Sequence, residues 1–218
     1  MDEPEAQSRT DPMAPPEQPN PSAKRRAPVP KRKKPGPYRV PPRDQRHGLL
    51  IVNTGDGKGK TTAAVGLLLR AVGRAMRVGM LQFMKTGGVT EGGEAAALRR
   101  LGVEVVPLGA GCTLGAHDTS DDQMLARLGW DHCRKLLVTG EYDVLVLDEL
   151  TLPLAYGWLD TSIVVDALRA RPVGTHVVIT GRHAPAALID AADLVTDMRV
   201  IKHPYREQGV RAQTGIDV

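Results

Sequence analysis

The sequence predicts an α/β protein built on a doubly wound, mostly parallel six-stranded sheet with helices on both faces. Short apolar runs alternate with stretches of helical pattern from about residue 48 to the C-terminus. Most of these runs are nearly continuously apolar, as is typical of parallel strands that are covered on both faces. Such an alternation implies right-handed βαβ units within one sheet.

The elements follow one another along the chain in a regular order. The predicted strands are Leu49–Asn53, Val78–Phe83, Val103–Leu108, Val144–Leu147, Thr175–Thr180 and Leu194–Ile201. The predicted helices are Lys60–Met76, Gly92–Leu101, Asp121–Val138, Ser162–Ala170 and Pro185–Ala192, with Thr119 or Ser120 as the cap of the third. Ligands in such sheets bind at the carboxyl ends of the strands. The residues just after each strand are therefore the functional candidates.

The N-terminal segment differs from the rest of the chain in composition. Residues 1–47 carry eleven Lys and Arg against six Asp and Glu, and 12 of the 17 prolines. A segment of this kind buries too little apolar area to offset the entropy of ordering it. We therefore predict a disordered arm over residues 1–45, with polyproline II character, and one folded domain over 46–218. Lys31–Lys34 is a basic cluster, but a solvated arm is favoured over nucleic-acid binding.

The composition also indicates the cellular compartment of the protein. Two cysteines among 218 residues make no disulfide framework, so a reducing compartment is the default. The sequence has no apolar run long enough for a membrane span and no signal peptide with an apolar core. These observations predict a soluble cytoplasmic protein with no membrane partner.

The turn after the first strand has the features of a phosphate-binding loop. It reads Thr-Gly-Asp-Gly-Lys-Gly-Lys-Thr over residues 54–61 and lies between a predicted strand and a predicted helix. Gly55, Gly57 and Gly59 allow backbone N–H groups to approach an anion, and the helix dipole favours negative charge at the same place. Lys60 adds a cation, and the Thr61 hydroxyl can ligate Mg²⁺.

The fourth and fifth strands deliver further polar residues to the same edge of the sheet. Asp148 and Glu149 follow an apolar run, which is the setting of a magnesium-directed acid opposite a phosphate loop. Arg182 follows the fifth strand, where a guanidinium can clamp phosphate or carboxylate. On its own, a surface arginine in a turn explains Arg182 equally well. His183 and His203 have no metal-site spacing and are expected to be structural or solvent-facing.

Several stretches together resemble the P-loop type ATP:corrinoid adenosyltransferases, which act on cob(I)alamin and cob(I)yrinic acid a,c-diamide. They are residues 53–64, 69–73, 82–85, 146–151, 178–182 and 209–217, and the similarity runs in order from about residue 48 to the C-terminus. The family shares both Thr54, where the usual motif has glycine, and the extra Lys58. The resemblance is therefore more specific than a general phosphate-loop motif.

The resemblance implies a P-loop NTPase-like fold and transfer of the 5′-deoxyadenosyl group of ATP to the cobalt of a reduced corrinoid, with release of triphosphate. It also implies Mg²⁺, a homodimer and an electron-donating flavoprotein reductase. The implied catalytic residues are Lys60, Thr61 and Glu149, and the implied metal residues are Thr61, Asp148 and Glu149. The implied nucleotide-binding residues are Gly55, Asp56, Gly57, Lys58, Gly59, Lys60, Thr61, Thr62, Arg70 and Arg182.

One stretch departs from the family pattern. Gly111-Cys112-Thr113-Leu114 stands where an aromatic-rich Gly-Phe-Thr-Trp stretch is expected to face the corrin. The missing aromatic residues bear on how cob(II) is prepared for reduction. They do not change the prediction for the ATP-binding half of the site. Two alternatives stay open on sequence grounds, namely a P-loop ATPase or kinase and a non-catalytic nucleotide- or corrinoid-binding protein.

Overall fold

The structure is a computed structural model that describes residues 41–85, 92–109 and 120–216. Its sheet contains β1 (Leu50–Thr54), β2 (Val78–Gln82), β3 (Glu104–Pro107), β4 (Val144–Asp148), β5 (His176–Thr180) and β6 (Leu194–Asp197). The strands lie in the order β3-β2-β4-β5-β1-β6, and every neighbouring pair in that sheet is parallel. The predicted fold class is confirmed.

Seven helices connect and follow these strands within the described ranges. They are α1 (Lys60–Val72), α2 (Gly93–Arg100), α3 (Ser120–Thr139), α4 (Thr151–Ala155), α5 (Thr161–Arg169), α6 (Ala186–Ala191) and α7 (Pro204–Gln208). The capping of α5 follows the expected chemistry, since the Asp160 carboxylate accepts hydrogen bonds from the Ser162 and Ile163 backbone N–H groups.

Two separate hydrophobic cores lie on the two faces of the sheet. Leu50 and Val52 of β1 point to one core, whereas Ile51 between them points to the other, because successive side chains of a strand alternate in direction. Helices α1 and α2 cover the Ile51 side, and α3 to α6 cover the opposite side. The central strands are therefore buried on both faces, which accounts for their unbroken apolar sequence.

The element boundaries differ from prediction in a few places. β6 ends at Asp197 rather than Ile201, because it is an edge strand whose only partner, β1, turns away into the glycine loop after Thr54. Helix α1 ends at Val72 rather than Met76, and Ala75 adopts a positive φ of 54° soon after. The short helices α4 and α7 were not predicted.

Arg43 ties the start of the described chain to the amino end of the sheet. It lies in a 3-10 helix over Arg43–Gln45 and donates to the Gly140 carbonyl. Its Nη2 also donates to the Tyr142 carbonyl and to Thr175 Oγ1, both at 2.6 Å. Residues 1–40 of the predicted arm lie outside the described residues. The predicted boundary at residue 45 stays a prediction, and deletions that keep or remove Arg43 can test it.

Two truncations should separate the arm from this anchor. Deleting residues 1–40 should leave the melting temperature unchanged, whereas deleting 1–45 removes the Arg43 contacts. Charged hydrogen bonds of this kind contribute on the order of 2 kcal/mol. The longer deletion should therefore lower the melting temperature by about 4–8 °C in a domain of this size. Calorimetry on both deletions and on full-length Arg43→Ala checks this, and equal melting temperatures for the two deletions would contradict it.

None of the helices in the described ranges is long and apolar enough to cross a membrane.

Candidate active site

The loop between β1 and α1 packs directly against the chain that leaves β6. The Gly57 N–H donates to the Met198 carbonyl at 2.6 Å, and a Cβ on Gly57 would stand only 2.6 Å from that same oxygen. Gly55 and Gly59 have φ of 93° and 100°, a region that side chains rarely adopt. The glycines are thus required by close packing and by backbone shape, and the loop is held in one conformation.

Lys60 places its ammonium inside this loop. The side chain is buried, and Nζ donates to the carbonyl oxygens of Gly55 at 2.8 Å and Gly57 at 2.7 Å. Burial lowers the pKa of Lys60, while the nearby charges of Glu149 and Asp56 act in the opposite direction. The arrangement presents a preorganised positive charge at the N-terminus of α1, where the helix dipole has the same sign.

Asp148 is fully buried at the end of β4, where it accepts hydrogen bonds from three side chains and forms an ion pair with a fourth. Its Oδ1 accepts from Thr61 Oγ1 at 2.8 Å and Thr180 Oγ1 at 2.6 Å. Its Oδ2 accepts from Gln82 Nε2 at 3.3 Å and forms an ion pair with Lys85 Nζ at 3.6 Å. These side chains come from α1, β5, β2 and the turn after β2, so the carboxylate joins four parts of the fold.

This hydrogen bonding assigns Asp148 an orienting role toward Thr61. A carboxylate has about four lone-pair positions, of which three accept hydrogen bonds here while the Lys85 ammonium lies 3.6 Å from Oδ2. Because Thr61 gives its hydroxyl proton to Asp148, its oxygen lone pairs remain directed away from the carboxylate. The arrangement suits a hydroxyl that ligates a metal while the carboxylate holds it in place.

Glu149, the next residue, lies in a different environment. Its backbone has a positive φ of 59°, and its N–H donates to Thr180 Oγ1 at 3.0 Å. Burial and the neighbouring charge of Asp148 raise the pKa of Glu149, whereas Lys60 and Arg182 act against this shift. Gly181 completes the junction, since a Cβ there would overlap Thr151 Oγ1 and stand 3.2 Å from Glu149 Oε2.

Most of the predicted site residues come together at the carboxyl end of the sheet. The charges of Asp56, Glu149 and Arg182 all act on Lys60, and Thr61 contacts Asp148 directly. Lys58 and Thr62 are exposed, in the loop and in the first turn of α1 respectively.

Arg70 is not brought to the loop with the other predicted residues. It is exposed in the last turn of α1, ten residues after Lys60. At the usual helical rise this separation corresponds to about 15 Å along the axis. Its predicted contact with the nucleotide stays a prediction.

Four residues of the Asp148 surroundings were not assigned a role from the sequence. Gln82, Lys85 and Thr180 stand at strand ends, but their convergence depends on β2, β4 and β5 being neighbours. Glu94 lies in the first turn of α2 and accepts from Lys85 Nζ at 2.6 Å. The helix dipole alone favours an acidic residue at this position, so the sequence does not indicate that Glu94 has a role near Asp148.

The donor set around Thr61 fits Mg²⁺. The hydroxyl of Thr61 and the carboxylate of Glu149 supply oxygen, which is what this hard cation prefers. The predicted metal residue Asp148 already accepts hydrogen bonds from three side chains and faces Lys85, so it suits orienting Thr61 better than direct ligation. In the described part of the chain, no three or more His, Cys, Asp or Glu residues are grouped to hold a metal by themselves. Mg²⁺ commonly needs only one or two carboxylates because substrate phosphates and water complete its shell.

The comparisons with known proteins identify the family of the chain. Residues 46–218 match the family model described as ATP:corrinoid adenosyltransferase BtuR/CobO/CobP. The corrinoid adenosyltransferase of Pseudomonas aeruginosa is 40% identical over 177 residues, which is 80% of this chain and 85% of that protein. The Escherichia coli K12 enzyme is 40% identical and the Salmonella typhimurium enzyme 41% identical, each over 179 residues, 82% of this chain and 90% of the relative.

Among solved structures, the flagellar accessory protein FlaH from Methanocaldococcus jannaschii has a TM-score of 0.44 and 14% identity, over 71% of this chain and 74% of its own. That likeness is too low to carry a functional inference. The family model covers the whole predicted domain, and the relatives are matched over most of their length. The chain therefore belongs to the ATP:corrinoid adenosyltransferase family.

Proposed function

We propose that this enzyme transfers the 5′-deoxyadenosyl group of ATP to the cobalt of a reduced corrinoid and releases triphosphate. The observation that carries the proposal is the Lys60 ammonium held within a glycine loop beside the Asp148–Thr61 pair. Family membership supplies the substrate class. In adenosylcobalamin synthesis or salvage, the product would be the adenosylcorrinoid.

The chemistry requires little from the protein beyond binding and electrostatics. The cobalt lone pair of cob(I) forms the new bond to C5′, and the C5′–O bond breaks with its electron pair leaving on triphosphate. The protein must hold C5′ facing cobalt and stabilise the charge that develops on the leaving group. Lys60, Arg182 and the N-terminus of α1 suit the second task, whereas the Gly57 N–H is already bonded to the Met198 carbonyl.

We propose that Mg²⁺ is held by Thr61 and Glu149, with Asp148 orienting Thr61. When bound, Mg²⁺ would neutralise part of the charge on the triphosphate. Glu149 is better suited to the metal or the nucleotide than to activating water, because the reaction uses no water nucleophile. A glutamate that activates water in a hydrolase would also have a raised pKa and a half-buried position. The reaction products therefore distinguish the two roles of Glu149.

An anaerobic assay with ATP, Mg²⁺ and chemically reduced cobalamin tests the function. We expect adenosylcobalamin, followed by the corrin spectrum, and triphosphate, separated by ion exchange, to form in a 1:1 ratio. ATP with EDTA in place of Mg²⁺ is the control for metal dependence. ADP and phosphate as the products would favour an ATPase or kinase. Tight binding without turnover would favour a non-catalytic binding protein.

Three further properties are proposals, of which the first two rest on the family and the third on the composition of the chain. They are a homodimer, electron delivery to the bound corrinoid by a flavoprotein reductase, and a cytoplasmic location. The Cys112 and Leu114 replacements lie outside the described residues, so their effect on cob(II) reduction stays a prediction. Sedimentation equilibrium would test the dimer, and comparing turnover from cob(I) with turnover from cob(II) plus reductase would test the electron route.

A further inference from the structure

We propose that Lys85 and Glu94 form a charge-neutral pair that positions the Asp148 carboxylate, and through it Thr61, for metal binding. The inference rests on the metal role given to Thr61 in the proposed function. Lys85 and Glu94 are positioning residues here, since neither needs to touch the metal or the nucleotide.

The geometry places Lys85 between two carboxylates. Its Nζ is 2.6 Å from Glu94 Oε1 and 3.6 Å from Asp148 Oδ2. Burial opposes a raised pKa, yet Asp148 and Glu94 together raise the pKa of Lys85. Burial likewise opposes a lowered pKa for Glu94, and the Lys85 hydrogen bond still lowers it. The 2.6 Å separation makes Lys85 and Glu94 a close ion pair, and Glu94 thereby fixes where the Lys85 ammonium stands.

The consequence for Asp148 is a fixed orientation. Lys85 and Gln82 occupy the Oδ2 side, which leaves Oδ1 to the hydroxyls of Thr61 and Thr180. Without the ammonium on Oδ2, the carboxylate can rotate and share its oxygens differently among the remaining donors. The Thr61 hydroxyl then loses the acceptor that directs its lone pairs. Residues that orient metal ligands in this way typically change metal affinity by about 10- to 100-fold.

The effect of net charge on metal affinity differs from the effect of positioning, so variants of Lys85 and Glu94 can separate the two. Removing Lys85 alone deletes a cation near the metal and should tighten metal binding by simple electrostatics. Removing Glu94 alone leaves that cation uncompensated and should weaken it. Removing both changes no net charge. If only charge matters, the two single variants change metal affinity in opposite directions and the double variant binds metal like the wild type. If the pair positions Asp148, metal binding is weaker in all three variants.

The experiment measures the metal contribution to ATP binding by calorimetry on the full-length protein. The quantity is the ratio of the ATP dissociation constant in EDTA to that in saturating Mg²⁺. It is measured for wild type, Lys85→Met, Glu94→Gln and the double variant. Asp166→Asn with Arg169→Met is the matched control, because it removes a neutral ion pair with 3.9 Å between its charged atoms, on the exposed side of α5.

We expect the ratio to fall roughly tenfold in the double variant and to fall in both single variants, with no change in the control pair. Lys85→Arg should recover part of the loss, because it keeps the charge and a donor. A ratio in the double variant equal to that of the wild type would overturn the proposal. So would a loss of metal-free ATP affinity as large as the loss with Mg²⁺, since Lys85 would then contact the triphosphate itself.

Melting temperatures identify any variant that fails to fold. If Lys85→Met or the double variant does not fold, the other one decides the question, because a ratio below that of the wild type supports positioning and a ratio equal to or above it overturns the proposal. Binding is measured without a corrinoid, so a wild type that binds Mg²⁺–ATP but transfers no adenosyl group would refute the proposed function and leave this test intact.

Discussion

Lys60→Ala should lower the turnover number roughly a hundredfold at saturating ATP, corresponding to about 3 kcal/mol of lost transition-state stabilisation. The physical reason is the position of the ammonium, which is buried within the loop and aligned with the dipole of α1. Charge grows on the triphosphate as the C5′–O bond breaks, so a preorganised cation acts most strongly at that stage. Single-turnover kinetics with cob(I) would measure the change.

The control must separate the charge of Lys60 from its structural hydrogen bonds to Gly55 and Gly57. Thermal unfolding and ATP affinity report whether the loop survives in the variant. Lys135→Ala removes a lysine from the exposed side of α3 and should leave turnover unchanged. Wild-type turnover by a folded Lys60→Ala protein would show that the assignment of the phosphate loop is wrong.

The sequence was sufficient for the fold class because hydrophobic burial and glycine chemistry are local signals. The continuous apolar run Val144–Leu147 predicts a strand covered on both faces, and the structure buries every residue of β4. The glycine loop between β1 and α1 needs only its own residues and flanks to be identified. The edge strand β6 was predicted too long, since its length depends on where β1 stops pairing.

The hydrogen-bond network around Asp148 could not be predicted from the sequence, because its residues are brought together only by the order of the strands. Gln82, Thr180 and Asp148 meet because β2, β4 and β5 are adjacent, and this strand order is set by tertiary packing. The sequence separations within the network reach 87 residues, between Thr61 and Asp148. The short helix α4 was also missed, because five residues that include Pro153 carry too little periodicity to predict a helix.

Asp148→Ala should lower the free energy of unfolding by about 3 kcal/mol, because the buried Thr180 hydroxyl and Gln82 amide lose their acceptor at roughly 1–3 kcal/mol each. Lys85 is partly exposed and can turn to water, so its contribution is discounted. The same change should reduce Mg²⁺-dependent transfer, since Thr61 is no longer oriented. Urea unfolding measures the stability, and Mg²⁺ titration of transfer activity measures the metal effect.

Glu149→Gln is the matched control for this prediction, because it neutralises the adjacent carboxylate while keeping its size and its backbone conformation. Burial raises the pKa of Glu149, so folding already disfavours its charge, and neutralising it should not lower stability. We therefore expect Glu149→Gln to lose activity at wild-type stability and Asp148→Ala to lose both. Equal stability of Asp148→Ala and wild type would mean that the four side chains around Asp148 do not depend on its carboxylate. In that case Asp148 would serve the metal rather than the fold.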